Sequence, residues 1–378
     1  MLRHVDMRGG IGVYTRELLT QMIPSYPQHT FFLYFESEEQ ADRFRTYPNA
    51  VSRVIVAPVK LLWDQLLVPR AAAGDRVDVL YNPKLSTPVM SSVPSVFVFH
   101  GPEMFEVPEA YGWTDRTQAR LLYRRYAAAA AATIVSTPDA KIKAVKYLGV
   151  RSELVHVVPP GRSLNMVPAP QERQCAVIKQ HNLPDEFFLF VGGLYPIKNF
   201  GRILQAMAQL RDELGEATPP LVAVGFRRWR MDDELRMIEE AGLSDLIIFP
   251  GYVEDDELAA LYSACRAFVF PSLYEGFGLA ALEALSCGAP LITSDRGGTA
   301  EIGKDGAAIL IDPYDVNELA DQMLAVHQDA RLRQALSTRG ILRAQEFGWD
   351  RMAKQVIDVF DAVTQARGRK NTRARLWG

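Results

Sequence analysis

Three features predict an α/β fold with parallel sheets in two domains. Short apolar segments alternate with helical segments along most of the chain, which is the pattern of strand–helix–strand units. The length of 378 residues exceeds what one core usually holds. Glycine-bearing turns open helical segments at Gly10–Gly12, Gly192–Gly193 and Gly276–Gly278, and the last two follow apolar strands, where a parallel sheet offers its ligand site.

Composition narrows the class. With 48% hydrophobic and 23% charged residues the chain reads as an ordinary globular protein, and a formal charge of −3 gives no reason to expect nucleic-acid binding. Cys175, Cys265 and Cys287 are few and scattered, which suits a reducing compartment with neither a disulfide framework nor a zinc site. No charged-then-apolar leader opens the chain, and no apolar run approaches the ~18–20 residues of a membrane span. A cytoplasmic protein is expected.

Taken in order, residues 9–19 (G-G-I-G-V-Y-T-R-E-L-L) form a glycine turn opening a helix with Val13, Leu18, Leu19 and Met22 on one face. The eight residues before it make a poor strand, so the central first strand of this domain is expected to be missing or abbreviated. Strands are predicted at 30–35, 51–57, 77–81, 95–99, 132–136 and 155–158, with helices at 38–45, 61–73 and 116–131 between them. His100 and Gly101 end the fourth of these strands. Glu103 and Glu106 follow closely. Pro159, Pro160 and Gly161 break the pattern, and the Pro-rich, polar stretch to residue 184 reads as a linker.

The second half opens with Phe187–Val191, Gly192 and Gly193, then Tyr195-Pro196-Ile197-Lys198-Asn199 and a helix over 200–214. A strand at 221–225 precedes G-F-R-R-W-R, and Ile247–Phe249 precedes Pro250-Gly251-Tyr252-Val253. A strand at 266–270 leads to the densest cluster of signals, Y-E-G-F-G-L-A-A-L-E-A-L-S-C-G-A-P, in which Glu275 and Glu283 bracket a glycine turn that enters a helix. A helix start offers free N–H groups and a partial positive charge, so it binds phosphate. Glycine admits a ligand close to the backbone. Carboxylates on either side suit sugar hydroxyls. A strand at 308–311, two helices and a last helix over 349–366 follow, then a basic tail, R-G-R-K-N-T-R-A-R-L-W-G, of the composition of disordered segments.

The cluster from 270 to 301 closely resembles the signature of the retaining glycosyltransferases of family 4, the glycosyl transferases group 1. So do the phosphate segment around Lys198-Asn199, the turn at 250–253 and, in the first half, segments 62–83 and 96–100. The resemblance implies a GT-B fold: two Rossmann-like domains facing a cleft, with the C-terminal helix crossing back to the N-domain. The expected boundaries are an acceptor-side domain over 1–165, a linker over 166–185, a nucleotide-sugar donor domain over 186–348, a crossover helix over 349–366 and a tail over 367–378.

The resemblance also implies roles. Glu275 and Glu283, with seven residues between them, match the family's glutamate pair, Glu275 near the donor sugar and Glu283 on the nucleotide ribose. Lys198 is implied as the cation on the donor diphosphate, and His100 as a group near the donor sugar. The backbone of Gly276, Phe277, Gly278, Leu279 and Ala280 is implied to face the donor's sugar and phosphates. Gly10, Gly12, Gly192 and Gly193 line the phosphates, and Tyr252 and Val253 meet the base.

The chain departs from the pattern in places. Gly101 replaces the aspartate that usually follows the histidine, and Gly193 stands where an arginine is frequent, with Arg227 or Arg228 as replacements. Pro160-Gly161-Arg162 stands for an Asn-Gly-Val-Asp turn.

What the resemblance implies is retaining transfer of a hexose, with mannose first, from a nucleotide-sugar to a glycan or lipid-linked acceptor in polysaccharide biosynthesis. GDP-mannose is the first donor to expect and UDP-glucose the second. The nucleotide-sugar is a co-substrate, and no cofactor is expected. No Asp-x-Asp stands at a strand end, so no metal is expected either. The basic tail also suits contact with anionic lipid headgroups, which would make the protein peripheral at the inner face of the membrane. Three rivals are a dehydrogenase, which lacks the required G-x-G-x-x-G after the first strand; a nucleotide-sugar epimerase; and a non-catalytic nucleotide-sugar-binding subunit.

Overall fold

A computed structural model describes residues 2, 9–225, 232–251 and 253–376, with the side chains of 232–234 and 368–376 excepted. The chain forms two compact units. One comprises Met1–Phe105, Tyr111–Gly161 and Gly348–Gly378, and the other Glu106–Ala110 and Arg162–Phe347.

In the first unit β1 (Phe31–Phe35) and β2 (Ala50–Val54) form a parallel pair. Strands β3 (Leu80–Asn82), β4 (Ser95–Val98), β5 (Ala132–Val135) and β6 (Val155–Val157) form a parallel sheet in sequential order. β4 and β5 are buried along their whole length, which is why they read as continuous apolar runs. The expectation about a first strand rests on residues 1–8, of which only Leu2 is described. It is buried and donates its N–H to Tyr34 O at 2.9 Å, so it lies along β1.

The helix Gly10–Ser25 buries Tyr14, Leu18, Leu19, Met22 and Ile23. These meet Trp349, Met352, Val356 and Ile357 of the C-terminal helix in one core cluster, so that helix belongs to this unit. It runs Trp349–Leu376, past the expected end at 366. The tail therefore reads wrongly as disordered: Arg, Lys, Ala and Leu are good helix formers, and they extend a helix already anchored by packing.

In the second unit β7 (Phe188–Val191), β8 (Leu221–Val224), β9 (Ile247–Ile248), β10 (Ala267–Phe270), β11 (Leu291–Ser294) and β12 (Ile309–Ile311) form one parallel sheet in the order 12-11-10-7-8-9. Chain order reverses between β7 and β10. That switch point opens a crevice beyond the strands' C-terminal ends, where doubly wound sheets take their ligands.

The expected linker over 166–185 is corrected. Gln171–Gln180 is a helix, and Met166, Val177 and Leu183 lie in this unit's core. Ala169 N–H bonds Ser263 Oγ at 3.0 Å, and Gln180 Nε2 bonds Glu257 Oε1 at 2.6 Å. A few apolar anchors suffice to fold a stretch whose prolines suggested otherwise. A second correction is small: Glu106–Ala110, inside the expected N-domain, packs with the second unit. Val107 is buried with Leu273 and Tyr274, and Tyr314 OH donates to Glu109 at 3.0 Å. No helix among the described residues is long and apolar enough to cross a membrane.

Candidate active site

At the switch point two turns are fastened together. After β7 the chain makes a turn through Gly193 and Tyr195, then a short 3-10 turn, Pro196–Lys198, and Asn199 caps the helix Phe200–Leu214. Asn199 sits in the left-handed region, φ 61°, a conformation asparagine tolerates better than most residues. Its buried amide explains why it is there. Nδ2 donates to Pro271 O at 3.0 Å and Pro313 O at 2.7 Å, tying the turn after β7 to the ends of β10 and β12. Leu273 N–H bonds Ile197 O at 2.9 Å. Lys198 is thereby delivered to Glu275: Nζ donates to Oε1 at 2.6 Å and lies 4.8 Å from the Phe270 ring centroid. The two side chains are only 21% and 16% exposed, so this pair is partly desolvated and stronger than a surface bridge.

Beyond Glu275 the chain passes Gly276 and Phe277 to Gly278, φ 99°, which opens the helix Leu279–Ser286. That helix has no side-chain cap and no acidic residue in its first turn, so its N-terminal N–H groups keep their partial positive charge. A short helix, Gly297–Ile302, docks on this turn. Gly298 N–H bonds Glu275 O at 2.8 Å. Gly192 and Gly225 end β7 and β8 so closely that a Cβ on Gly225 would lie 2.3 Å from Gly192 O.

Glu283 stands one turn inside the helix, half-buried. Among the described residues its carboxyl has no hydrogen-bond or ion-pair partner. Burial, and then the charge of Asp255, push its pKa from 4.5 up to about 8. The folded protein therefore keeps this proton over a range in which the unfolded chain has lost it. Stability contributed by Glu283 is full below about pH 4.5 and is lost as pH rises through about 8. The change Glu283→Gln should leave the melting temperature unaltered near pH 4.5 and raise it by several degrees near pH 8.5. A difference between variant and wild type that stays constant across melts in that range sinks the assignment.

Of the other second-unit residues singled out in the sequence, Val253 is a buried core residue, while Tyr252, Arg227 and Arg228 lie outside the described residues. A Cβ on Gly193 would press on the Tyr195 ring at 2.8 Å.

In the first unit, Gly10 and Gly12 form the opening turn of the helix Gly10–Ser25, with Gly12 N–H on Gly9 O at 2.9 Å. One turn on, Tyr14 packs edge-on against His100 with ring centroids 5.1 Å apart, and its hydroxyl meets that of Tyr81 at 2.9 Å. Burial holds both phenols well above their ordinary pKa. Tyr14 thereby brings the first turns of this helix beside His100. His100 Nε2 bonds Pro83 O at 2.6 Å, and burial lowers its pKa, so the imidazole is neutral near pH 7. At Gly101 a Cβ would stand 2.2 Å from Glu103 Oε1, so the Glu103 carboxylate lies against the Gly101 backbone. Tyr14, Tyr81 and the buried pair Asp64 and Lys84 were not singled out in the sequence. Tyrosines and charges in separate segments give no local signal of meeting. Among the described residues no group of three His, Cys, Asp or Glu side chains gathers as a metal site would.

Comparison with known proteins bears on this arrangement. Residues 174–343 match the family described as glycosyl transferases group 1, and residues 8–165 match glycosyltransferase family 4. The chain is 30% identical over 268 residues to O-antigen chain mannosyltransferase B of Escherichia coli, covering 70% of each protein. It is 31% identical over 226 residues to the serotype-specific mannosyltransferase WbdA of Escherichia coli, covering 59% of this chain but only 28% of that longer protein. Anabaena HepE, solved in complex with UDP and glucose, superposes with a TM-score of 0.74 over 93% of this chain and 96% of that one, at 19% identity, a likeness of fold.

Proposed function

The chain belongs to the glycosyl transferases group 1, the family 4 glycosyltransferases of GT-B fold, and from that membership we propose that it transfers mannose from a nucleotide-sugar to a hydroxyl of a glycan or lipid-linked acceptor, with retention at the anomeric carbon. The observation that carries this reading is the meeting of Lys198 and Glu275 at the switch point, beside the uncapped start of the helix that bears Glu283. The mannosyltransferase relatives motivate the choice of sugar, and GDP-mannose is the preferred donor ahead of UDP-glucose.

In this reading the donor diphosphate lies against the N–H groups of Leu279 and Ala280 and against Lys198 Nζ. The bond from the anomeric carbon to the phosphate oxygen breaks as the bond to the acceptor oxygen forms. The acceptor's proton passes to the departing diphosphate, and Lys198 with the helix start offsets the charge that grows there. Glu275 accepts hydrogen bonds from sugar hydroxyls, and Glu283 from the ribose. In the first unit, His100 offers an uncharged acceptor to a substrate hydroxyl. No residue is asked to act as a dedicated base.

The test is a panel of nucleotide-sugars. GDP-mannose should raise the melting temperature most, because a ligand at 100 times its Kd adds ~2.7 kcal/mol. With a mannose-terminated acceptor, NMR of the product should show the donor's anomeric configuration. Inversion would remove the retaining mechanism. Stabilisation without transfer or donor hydrolysis would reduce the protein to a binding subunit.

A further inference from the structure

The sequence over 61–73 predicts one plain helix. The structure has instead a π-helical turn, Trp63–Leu67, between two α-helical pieces, Lys60–Leu62 and Val68–Gly74. Such turns are uncommon and often mark functional positions. This one aims two consecutive polar side chains at a single loop, the one that follows β3. Asp64 Oδ1 accepts from Lys84 Nζ at 2.6 Å, and Asp64 Oδ2 from Ser86 Oγ at 3.1 Å. Gln65 Nε2 donates to Thr87 O at 3.0 Å, and its Oε1 accepts from Val89 N–H at 2.9 Å. From within the loop's own strand, Asn82 Nδ2 bonds Ser86 O.

The ion pair is fully inside: both side chains are 4% exposed, with Lys84 Nζ 5.0 Å from the Trp63 ring centroid. Desolvating two charges this far opposes much of their attraction, so such a pair is poorly explained by stability alone. It does fix geometry. What it fixes is the loop carbonyl of Pro83, which receives His100 Nε2 at 2.6 Å. A carbonyl only accepts, so Nε2 must carry the hydrogen and Nδ1 keeps its lone pair. Among the described residues Nδ1 has no partner.

We propose that Asp64 and Lys84 are positioning residues that lock His100 in its Nε2–H tautomer through the Pro83 carbonyl, leaving Nδ1 as the acceptor offered to a substrate hydroxyl. This rests on the reading in which His100 meets a substrate hydroxyl. It goes beyond that reading by assigning the buried pair and the π-helical turn a role in the transfer.

Nitrogen-15 NMR of the full chain reads the tautomer directly, with the His100 signal assigned by its loss in His100→Gln. The wild type should show hydrogen on Nε2; hydrogen on Nδ1 overturns the proposal at once. Lys84→Met and Asp64→Asn should each give a mixture of tautomers, with transfer kcat lowered about tenfold and donor KM within about twofold of wild type. Should these variants fail to fold, Ser86→Ala combined with Gln65→Leu loosens the same loop without stranding a buried charge, and the same mixture is expected. A folded variant with an unchanged tautomer overturns the proposal. A mixed tautomer with undiminished transfer leaves the clamp standing and removes His100 from the site, so the two readings fail separately.

Discussion

Replacing Lys198 with alanine should lower kcat and kcat/KM for transfer by about 10²–10³-fold, the usual consequence of deleting one preorganised group that stabilises charge developing in a transition state. Lys198 is suited to that task because little about it is left to move. Asn199 holds its turn by two buried amide bonds, Leu273 N–H bonds the neighbouring Ile197 carbonyl, and the Phe270 ring lies against the ammonium. The ammonium meets Glu275 at 2.6 Å in a setting mostly shielded from water. In the proposed reaction, removing it does two things: the departing diphosphate loses its cation, and Glu275 becomes an unpaired carboxylate beside the phosphates. The double change Lys198→Ala with Glu275→Gln should therefore be less damaging than the sum of the two single changes, because the second relieves a repulsion created by the first. Nucleoside diphosphate release by the four proteins of this cycle is the measurement. A loss below about threefold for Lys198→Ala, in protein that melts normally, would mean that the diphosphate is held elsewhere.

The sequence made the second unit legible because its central strands β7, β8 and β10 are buried on both faces and so appear as uninterrupted apolar runs, each followed by a glycine or proline stop. Phe187–Val191 and Ala267–Phe270 are of this kind, and both lie where the pattern placed them. Glu275 and Glu283 stood out together because both lie in one local signature. The ion pair of Lys198 with Glu275 spans 77 positions and follows only from the sheet order, which brings β7 beside β10. What misled was local composition. Prolines and polar residues hid the helix Gln171–Gln180, whose folding is decided by Val177 and its tertiary partners. Charge alone suggested a disordered tail. In the first unit the pairing of Asp64 with Lys84 was invisible for a similar reason: each looks like a surface charge until the fold brings Asp64 of the π-helical turn onto Lys84 of the loop after β3.

The largest combined effect on stability and transfer should come from Gly298→Ala, a change of one methyl group that alters no charge. A Cβ at position 298 would stand 2.2 Å from Phe277 Cα and 2.3 Å from Phe277 O. Both are backbone atoms, so no side chain can swing aside, and the helix Gly297–Ile302 must retreat from the turn it docks on. Two things depend on that docking. Gly298 N–H fixes the Glu275 carbonyl at 2.8 Å, and Gly278, whose own Cβ position lies 2.9 Å from Thr299 Cγ2, sets the start of the helix that carries Glu283. Overpacking of this kind costs roughly 1–3 kcal/mol, and a shift of about 1 Å in a positioned group can cost about 10²-fold in rate. The melting temperature should fall by several degrees and transfer by about two orders of magnitude. Gly74→Ala is the matched control: it adds the same methyl at the end of a helix with nothing within 4 Å, and it should be neutral or slightly stabilising. Melting curves and transfer rates of the two variants, measured together, decide the point. Gly298→Ala protein that melts and transfers as the wild type does would show that the turn bearing Glu275 keeps its shape without the close approach at Gly298.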